Sequence, residues 1–279
     1  MTQTSGIQEA IDAKAGTGGT VVWPVGTHWV SVPVEVPSKV RFIGEGKEAT
    51  IIRAVAGVDM PCVVRNRPES RFAGTMDAEI SCMTVRGNEY TQDVMLLEGF
   101  SRGVVADVRL RQTCPYSTGL RVTTWLDGSI YRTSNRNKFS GLWMFDAWES
   151  MVLTKHSGDP ATHGCNFNHI ESSYLAGYGY IGLNIDYGEG NVLTAVTTST
   201  SMDGTLGYRI ADAITTIVGC SADSTMGPRR AAPLLVDQWG FPTGALENGN
   251  TGFYFTEKAG GSVLITPSAD GCFKRIDFQ

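Results

Sequence analysis

The chain has 279 residues, and its 28 acidic against 23 basic side chains leave a net charge of −5, which argues against a protein that holds nucleic acid through clustered cations. Hydrophobic residues make up 42% and charged residues 18%, a balance that excludes disorder. No apolar run approaches the roughly 20 residues of a membrane span, so no membrane insertion is expected, and the opening Met-Thr-Gln-Thr-Ser-Gly shows no signal peptide.

The first predicted element is a helix over about residues 5–15. Ser5 and Gln8 have the spacing of a capping box. Ile7, Ala10 and Ile11 recur at helical period, and Gly16, Gly18 and Gly19 stop the run. From Val21 to Val34 the pattern is strand-like, broken at Pro24-Val25-Gly26.

Ile7, Gln8, Ala10, Ile11, Asp12, Gly18, Gly19, Val21, Pro24 and Gly26, with Val40-Arg41-Phe42-Ile43-Gly44-Glu45-Gly46 after them, resemble the opening of pectate-lyase-like right-handed β-helix proteins. His28 departs from the pattern, which usually has Tyr there. The likeness covers about the first 45 residues and implies fold rather than chemistry. The implied fold is all-β: a right-handed, single-stranded parallel β-helix with an N-terminal capping α-helix, and coils from about 20 to 279 in a single domain. The family includes lyases, hydrolases, epimerases and many bacteriophage tailspikes.

Two repeats can be written down independently of that likeness. The first reads Gly-apolar-x-apolar at Gly119, Gly182, Gly207 and Gly252, with Val94/Leu96, Met151/Leu153 and Leu234/Val236 filling the gaps. The second is an apolar pair three residues apart: Ile80/Met83, Val105/Val108, Phe139/Leu142, Phe167/Ile170, Leu193/Val196 and Ile217/Cys220. The two series interleave, one of each per coil, as two sheets of a solenoid require. The longest coils enclose Thr123–Arg136 and Thr154–Gly164, insertions of the kind that build binding faces. Gly207 is expected at a coil corner.

Six cysteines with no CxxC motif are expected to be reduced thiols. The histidine cluster of His156, His163 and His169 matches no metal-site spacing. No metal or other cofactor is expected.

No nucleophile elbow, P-loop or HExxH motif is present, so chemistry must come from side chains projecting off the strands. Candidate catalytic carboxylates are Glu171, Asp186 and Asp203 in the central coils. Glu171 is expected beside Thr197 in the next coil. Asp186, Ala211 and Asp237 form one expected outward column, with the two aspartates two coils apart, near the separation of inverting glycosidases. Trp143, Trp148, Tyr178 and Arg209 are candidate carbohydrate contacts, because sugar rings pack apolar C–H faces on aromatic rings. Glu149 flanks this aromatic row.

The resemblance implies a tailspike-type protein that binds and hydrolyses a bacterial surface polysaccharide, capsule or O-antigen. It would act as a homotrimer in the virion tail or outside the cell, beside other tail proteins, and as one module of a larger spike. A lyase or epimerase acting on uronans is the alternative, with His156 or His169 as base and Lys155 or Arg209 neutralising the uronate. A non-enzymatic receptor-binding or structural virion module is the third reading.

Overall fold

The structure is a computed structural model that describes residues 2–112, 114, 116–158, 164–200, 206–211, 213–224, 232–237, 253–256, 262–267 and 273–277. It is a right-handed parallel β-helix. Each coil contributes a strand to an eleven-stranded sheet and a pair of strands to a fourteen-stranded sheet that bends in the middle. A shorter sheet joins the two in the central coils.

The register is that of a stacked core. Val21, Phe42, Ile80, Val105, Phe139, Ile170, Leu193 and Ile217 lie one above the other through eight successive rungs of the first arm of the bent sheet. On the eleven-stranded sheet Val64, Met95, Leu120, Met151, Leu183 and Tyr208 do the same. All of these side chains are buried, and each rung covers the apolar face of the one below.

The Gly-apolar-x-apolar series therefore marks the eleven-stranded sheet. Its described glycines are not corners: Gly207 lies inside the strand Leu206–Ala211, and Gly252 lies outside the described residues. Gly119, Ser150, Gly182 and Gly207 are small because the strands approach closely here. A Cβ on Gly119 would meet the Ser150 carbonyl oxygen at 2.5 Å, and one on Gly182 the Gly207 oxygen at 2.7 Å. The pair Val94/Leu96 is one residue early, since Met95 and Leu97 face Leu120 and Val122.

The second series marks the bent sheet, with one slip. Ile170, not Phe167, stacks on Phe139, so the pair in that coil is Ile170/Ser173 and Phe167 is 54% exposed. Glu171 consequently pairs with Thr194 rather than Thr197.

The bend between the two arms is made by one residue per coil in left-handed conformation: Cys82, Asp107, Gly141, Ser172, Ala195 and Gly219, with φ between 48° and 62°. A second corner uses Asp77, Arg102, Arg136 and Phe167 in the same way. Each non-glycine there costs roughly 1–2 kcal/mol. Buried asparagines oppose that cost just after the second corner. The Asn137 backbone N–H (3.1 Å) and Nδ2 (2.9 Å) donate to Asn168 Oδ1. The Asn168 backbone N–H donates to Asn191 Oδ1 (3.0 Å), and its Nδ2 reaches the Ser134 carbonyl (3.3 Å).

The N-terminal helix is Ile7–Asp12, shorter than expected, and Gly6, not Ser5, is its N-cap. No capping box forms. Ser5 instead donates to the Trp29 carbonyl at 2.6 Å. Gln8 acts as a substitute strand: its Nε2 donates to the Glu35 carbonyl (3.1 Å) and its Oε1 accepts the Glu35 N–H (2.8 Å). The first edge of the eleven-stranded sheet is thereby covered, while Ile7 and Ile11, both fully buried, plug the end of the core. At the other end, Phe253–Thr256, Ser262–Pro267 and Phe273–Asp277 pair antiparallel, so the coils do not run to residue 279.

Cys62, Cys82, Cys114, Cys165 and Cys220 are free thiols, and burial pushes Cys62 and Cys165 up to about 12. Cys272 lies outside the described residues. Among those residues no helix is long and apolar enough to cross a membrane.

Asn168→Ala should lower unfolding stability by about 3 kcal/mol, because it strands the buried amide of Asn137 and the carbonyl of Ser134. A denaturant titration checks this, and a loss within error of zero would mean the ladder is not holding the corner.

Candidate functional site

The outward face of the eleven-stranded sheet carries three polar columns. Asp93, Thr118 and Glu149 share one register. Arg121, Val152, Asn184 and Arg209 share the next. Glu98 and Thr123 begin the third, which continues through Thr154 to Asp186, where the Thr154 hydroxyl donates to Asp186 Oδ2 at 3.4 Å. Strands stacked at roughly 4.8 Å place Asp93 and Glu149 roughly 10 Å apart, across one intervening coil.

Hydrogen bonds tie the columns together. Arg121 Nε donates to both oxygens of Asp93 at 3.1 Å, and its second terminal nitrogen to the Thr118 hydroxyl at 2.7 Å. Asn184 Nδ2 donates to Glu149 Oε1 at 3.1 Å. Arg209 Nη1 donates to Asn184 Oδ1 (3.1 Å) and to Asp186 Oδ1 (2.8 Å). Glu149 and Asp186 are thus the two ends of one chain through Asn184 and Arg209.

Above the columns lies a cleft of about 530 Å³, floored by Asp93, Arg121 and Asp186 and walled by Lys155, His156 and Tyr187. The two long insertions meet at its rim. Trp125–Asp127 and Ile130–Arg132 form an antiparallel hairpin, and its Tyr131 ring lies 5.7 Å from the ring of His156. The His156 backbone N–H donates to the Thr124 hydroxyl at 2.9 Å, and Lys155 lies 4.0 Å over the Tyr187 ring.

Burial raises the carboxyls of Glu149, Glu98 and Asp93 above the ordinary carboxylate range, against the opposing pull of Arg121, Arg209 or Arg65. Desolvation favours the protonated form of each, while the Arg121 guanidinium on both Asp93 oxygens works the other way. Among the described residues no group of three or more His, Cys, Asp or Glu is arranged to hold a metal ion.

Along one edge of this face runs an aromatic column. Tyr116 and Trp148 lie 5.0 Å apart, and Trp148 and Tyr180 stack at 5.5 Å with planes 14° apart. Each occupies the turn before a strand of the sheet, and Trp148 immediately precedes Glu149. Tyr116 and Tyr180 are exposed.

Of the residues expected from sequence, Asp186 and Arg209 come together here, and Trp148 stands at the edge of the same face, next to Glu149. Asp186 also keeps its expected register, since Ile185 pairs with Ile210 and Ala211 with Asp237. Glu171 is elsewhere, on the first arm of the bent sheet, 2.7 Å from Lys138 Nζ. The hydrogen bond from Lys138 holds its carboxyl below the ordinary range. Glu171 and Asp186 therefore do not form a pair. Trp143 is exposed on the second arm. Tyr178 is 1% exposed, so its ring belongs to the interior and not to a sugar-binding surface. Asp203 lies outside the described residues.

Asp93, Glu98 and Tyr116 were not anticipated, whereas Tyr180 belongs to the aromatic run Tyr174–Tyr180 that the sequence offers as a sugar-binding row. The Gly-apolar-x-apolar register would have found the acids: counted from Met95 rather than Val94, it aligns Asp93 with Thr118 and Glu149.

Neither a protein-family model nor the sequence of a curated protein matches this chain. Solved structures do. The catalytic domain of a GH87 α-1,3-glucanase in complex with tetrasaccharides has 14% identity and a TM-score of 0.61, over 100% of this chain and 48% of that one. ORF18 of Geobacillus virus E2 has 16% identity and a TM-score of 0.52, over 95% and 62%. The pectin methylesterase PemA from Erwinia chrysanthemi has 10% identity and a TM-score of 0.50, over 88% and 86%. What is shared is the fold. This chain spans less than two thirds of the viral protein and about half of the glucanase domain.

The raised carboxyl of Glu149 has a stability consequence. A carboxyl whose folded pKa exceeds its unfolded value stabilises the fold fully below the unfolded pKa, and that contribution is lost as pH rises through the folded pKa. Glu149→Gln should therefore raise the melting temperature by about 2 °C at pH 8 and leave it unchanged at pH 4. Thermal scans at both pH values check the sign, and a variant less stable at pH 8 would contradict the burial of this carboxyl.

Proposed function

We propose that this chain binds a polysaccharide along the outward face of the eleven-stranded sheet and hydrolyses it on that face, between Glu149 and the cleft that Asp186 lines. The observation that carries the reading is the hydrogen-bonded chain that joins the half-buried Glu149, whose carboxyl desolvation raises, to Asp186 through Asn184 and Arg209. In this reading Glu149 gives its proton to the departing glycosidic oxygen. Asp186, held by Arg209 and Thr154, takes a proton from the attacking water. Asn184 and Arg209 bridge the two carboxyls, which do not touch directly, and the reading takes the inverting course, in which a water attacks. Tyr116, Trp148 and Tyr180 offer ring faces for successive sugars beside Glu149.

The likeness in fold to a glucanase domain bound to tetrasaccharides and to a viral protein supports a tailspike-type role. In that role the polymer is a bacterial capsule or O-antigen and the working unit a homotrimer in the virion tail. Lys155 and His156 at the cleft wall favour one second reading, a lyase in which His156 removes the C5 proton of a uronate and Lys155 or Arg209 neutralises its carboxylate.

Incubation with a panel of capsular, O-antigen and uronan polysaccharides, followed by reducing-end and 235 nm absorbance measurements, separates the two. Hydrolysis predicts new reducing ends without absorbance, and a loss of about a hundredfold or more in Glu149→Gln and in Asp186→Asn. Absorbance at 235 nm would transfer the chemistry to His156. Binding without any product would leave a receptor-binding module.

A further inference from the structure

The second arm of the bent sheet carries a different outward column, away from the cleft. Arg53, Arg86 and Arg111 occupy one register in successive coils. Trp29 precedes them in the column and Phe145 follows. Strands roughly 4.8 Å apart hold three guanidinium stems in a row, and like charges directly opposite one another destabilise a sheet.

The protein itself does little to neutralise this stack. Arg111 reaches Asp146 at 3.4 Å, both partners being exposed. Arg53 lies 4.7 Å over the Trp29 ring, a contact that leaves its charge in place. No carboxylate among the described residues pairs with Arg86, whose Nε is buried without a hydrogen-bond partner. Burial, and then the charges of Arg53 and Arg111, hold the Arg86 guanidinium below its ordinary range, against the smaller opposing charge of Asp146. Beside the ladder, Arg109 and Lys47 both lie over the exposed Trp143 ring, at 5.2 and 4.6 Å, and each is already paired with a carboxylate, Arg109 with Glu48 and Lys47 with Asp107.

We propose that the Arg53–Arg86–Arg111 ladder is a second binding site, which takes the carboxylates of an acidic polysaccharide. Guanidinium groups match carboxylates in bidentate geometry, and a row of them at strand spacing suits a polymer with repeating negative charge. The aromatic rings at the ends and side of the ladder offer faces to the sugar rings between those charges. The net charge of −5 works against long-range capture of nucleic acid. The polymer being a glycan rests on the polysaccharide reading above, whereas its acidity rests on the ladder alone.

The test is calorimetric binding of polygalacturonate, neutral dextran and single-stranded DNA at low and high salt. Wild-type protein should bind polygalacturonate, more weakly as salt rises, and should bind neither dextran nor DNA comparably. The double variant Arg53→Gln/Arg86→Gln should lose about tenfold or more in affinity, with a melting temperature no lower than wild type because a like-charge contact is relieved. Arg86→Lys, which keeps the charge and loses the fork, should fall between the two. Undiminished affinity in the double variant, salt-insensitive binding by the wild type, or tighter binding of DNA than of polygalacturonate would each overturn the proposal. Failure of the cleft reading would appear separately, as unchanged cleavage products in Glu149→Gln.

Discussion

The parallel hydrogen-bond register between successive coils is the constraint from which the rest of this structure follows. Because each strand lies directly on the one before it at roughly 4.8 Å, a side chain's neighbours are its counterparts one coil away. Inside, this turns single apolar residues into continuous columns, such as Phe42 through Ile217 on the first arm. At the corners it lets Asn137, Asn168 and Asn191 satisfy one another's buried amides. Where the strands crowd, it admits only small residues, as at Gly119, Ser150 and Gly182.

Outside, the same register concentrates chemistry. Asp93 and Glu149 share one outward register although they lie 56 positions apart in the chain, because only one coil stands between them. Beside that face the two insertions touch, where the Tyr131 ring meets that of His156. Burial raises Glu149, Glu98 and Asp93, while the hydrogen bond from Lys138 lowers Glu171. Similar carboxylates thus acquire different proton affinities from position alone.

The fold was legible because its two repeats are periodic. The Gly-apolar-x-apolar series locates strands of the eleven-stranded sheet from Gly119 to Phe255, and the helix motif around Ile7 and Gln8 locates the cap. The corners were not legible, since Cys82, Asp107, Ser172 and Ala195 share a left-handed backbone but no side-chain chemistry. The site was legible only in part. Asp186 and Arg209 fell into a correct register, whereas a shift of one residue at Val94 hid Asp93 and a shift of three at Phe167 misplaced Glu171. A one-residue error reverses which face a strand side chain occupies, so site residues are far more sensitive to register than the fold is. Tyr178 illustrates a different limit: in an aromatic run, sequence alone does not distinguish a ring that fills the interior from one that stacks on the surface.

The central claim is that polysaccharide lies along the outward face of the eleven-stranded sheet. Amide hydrogen exchange with and without a saturating polysaccharide from the capsular and O-antigen panel tests it directly. Protection should concentrate in the residue ranges 93–98, 118–124, 149–157 and 181–187, which form the floor and rim of the cleft. Protection confined to the bent sheet, with exchange in those four segments unchanged, would contradict it.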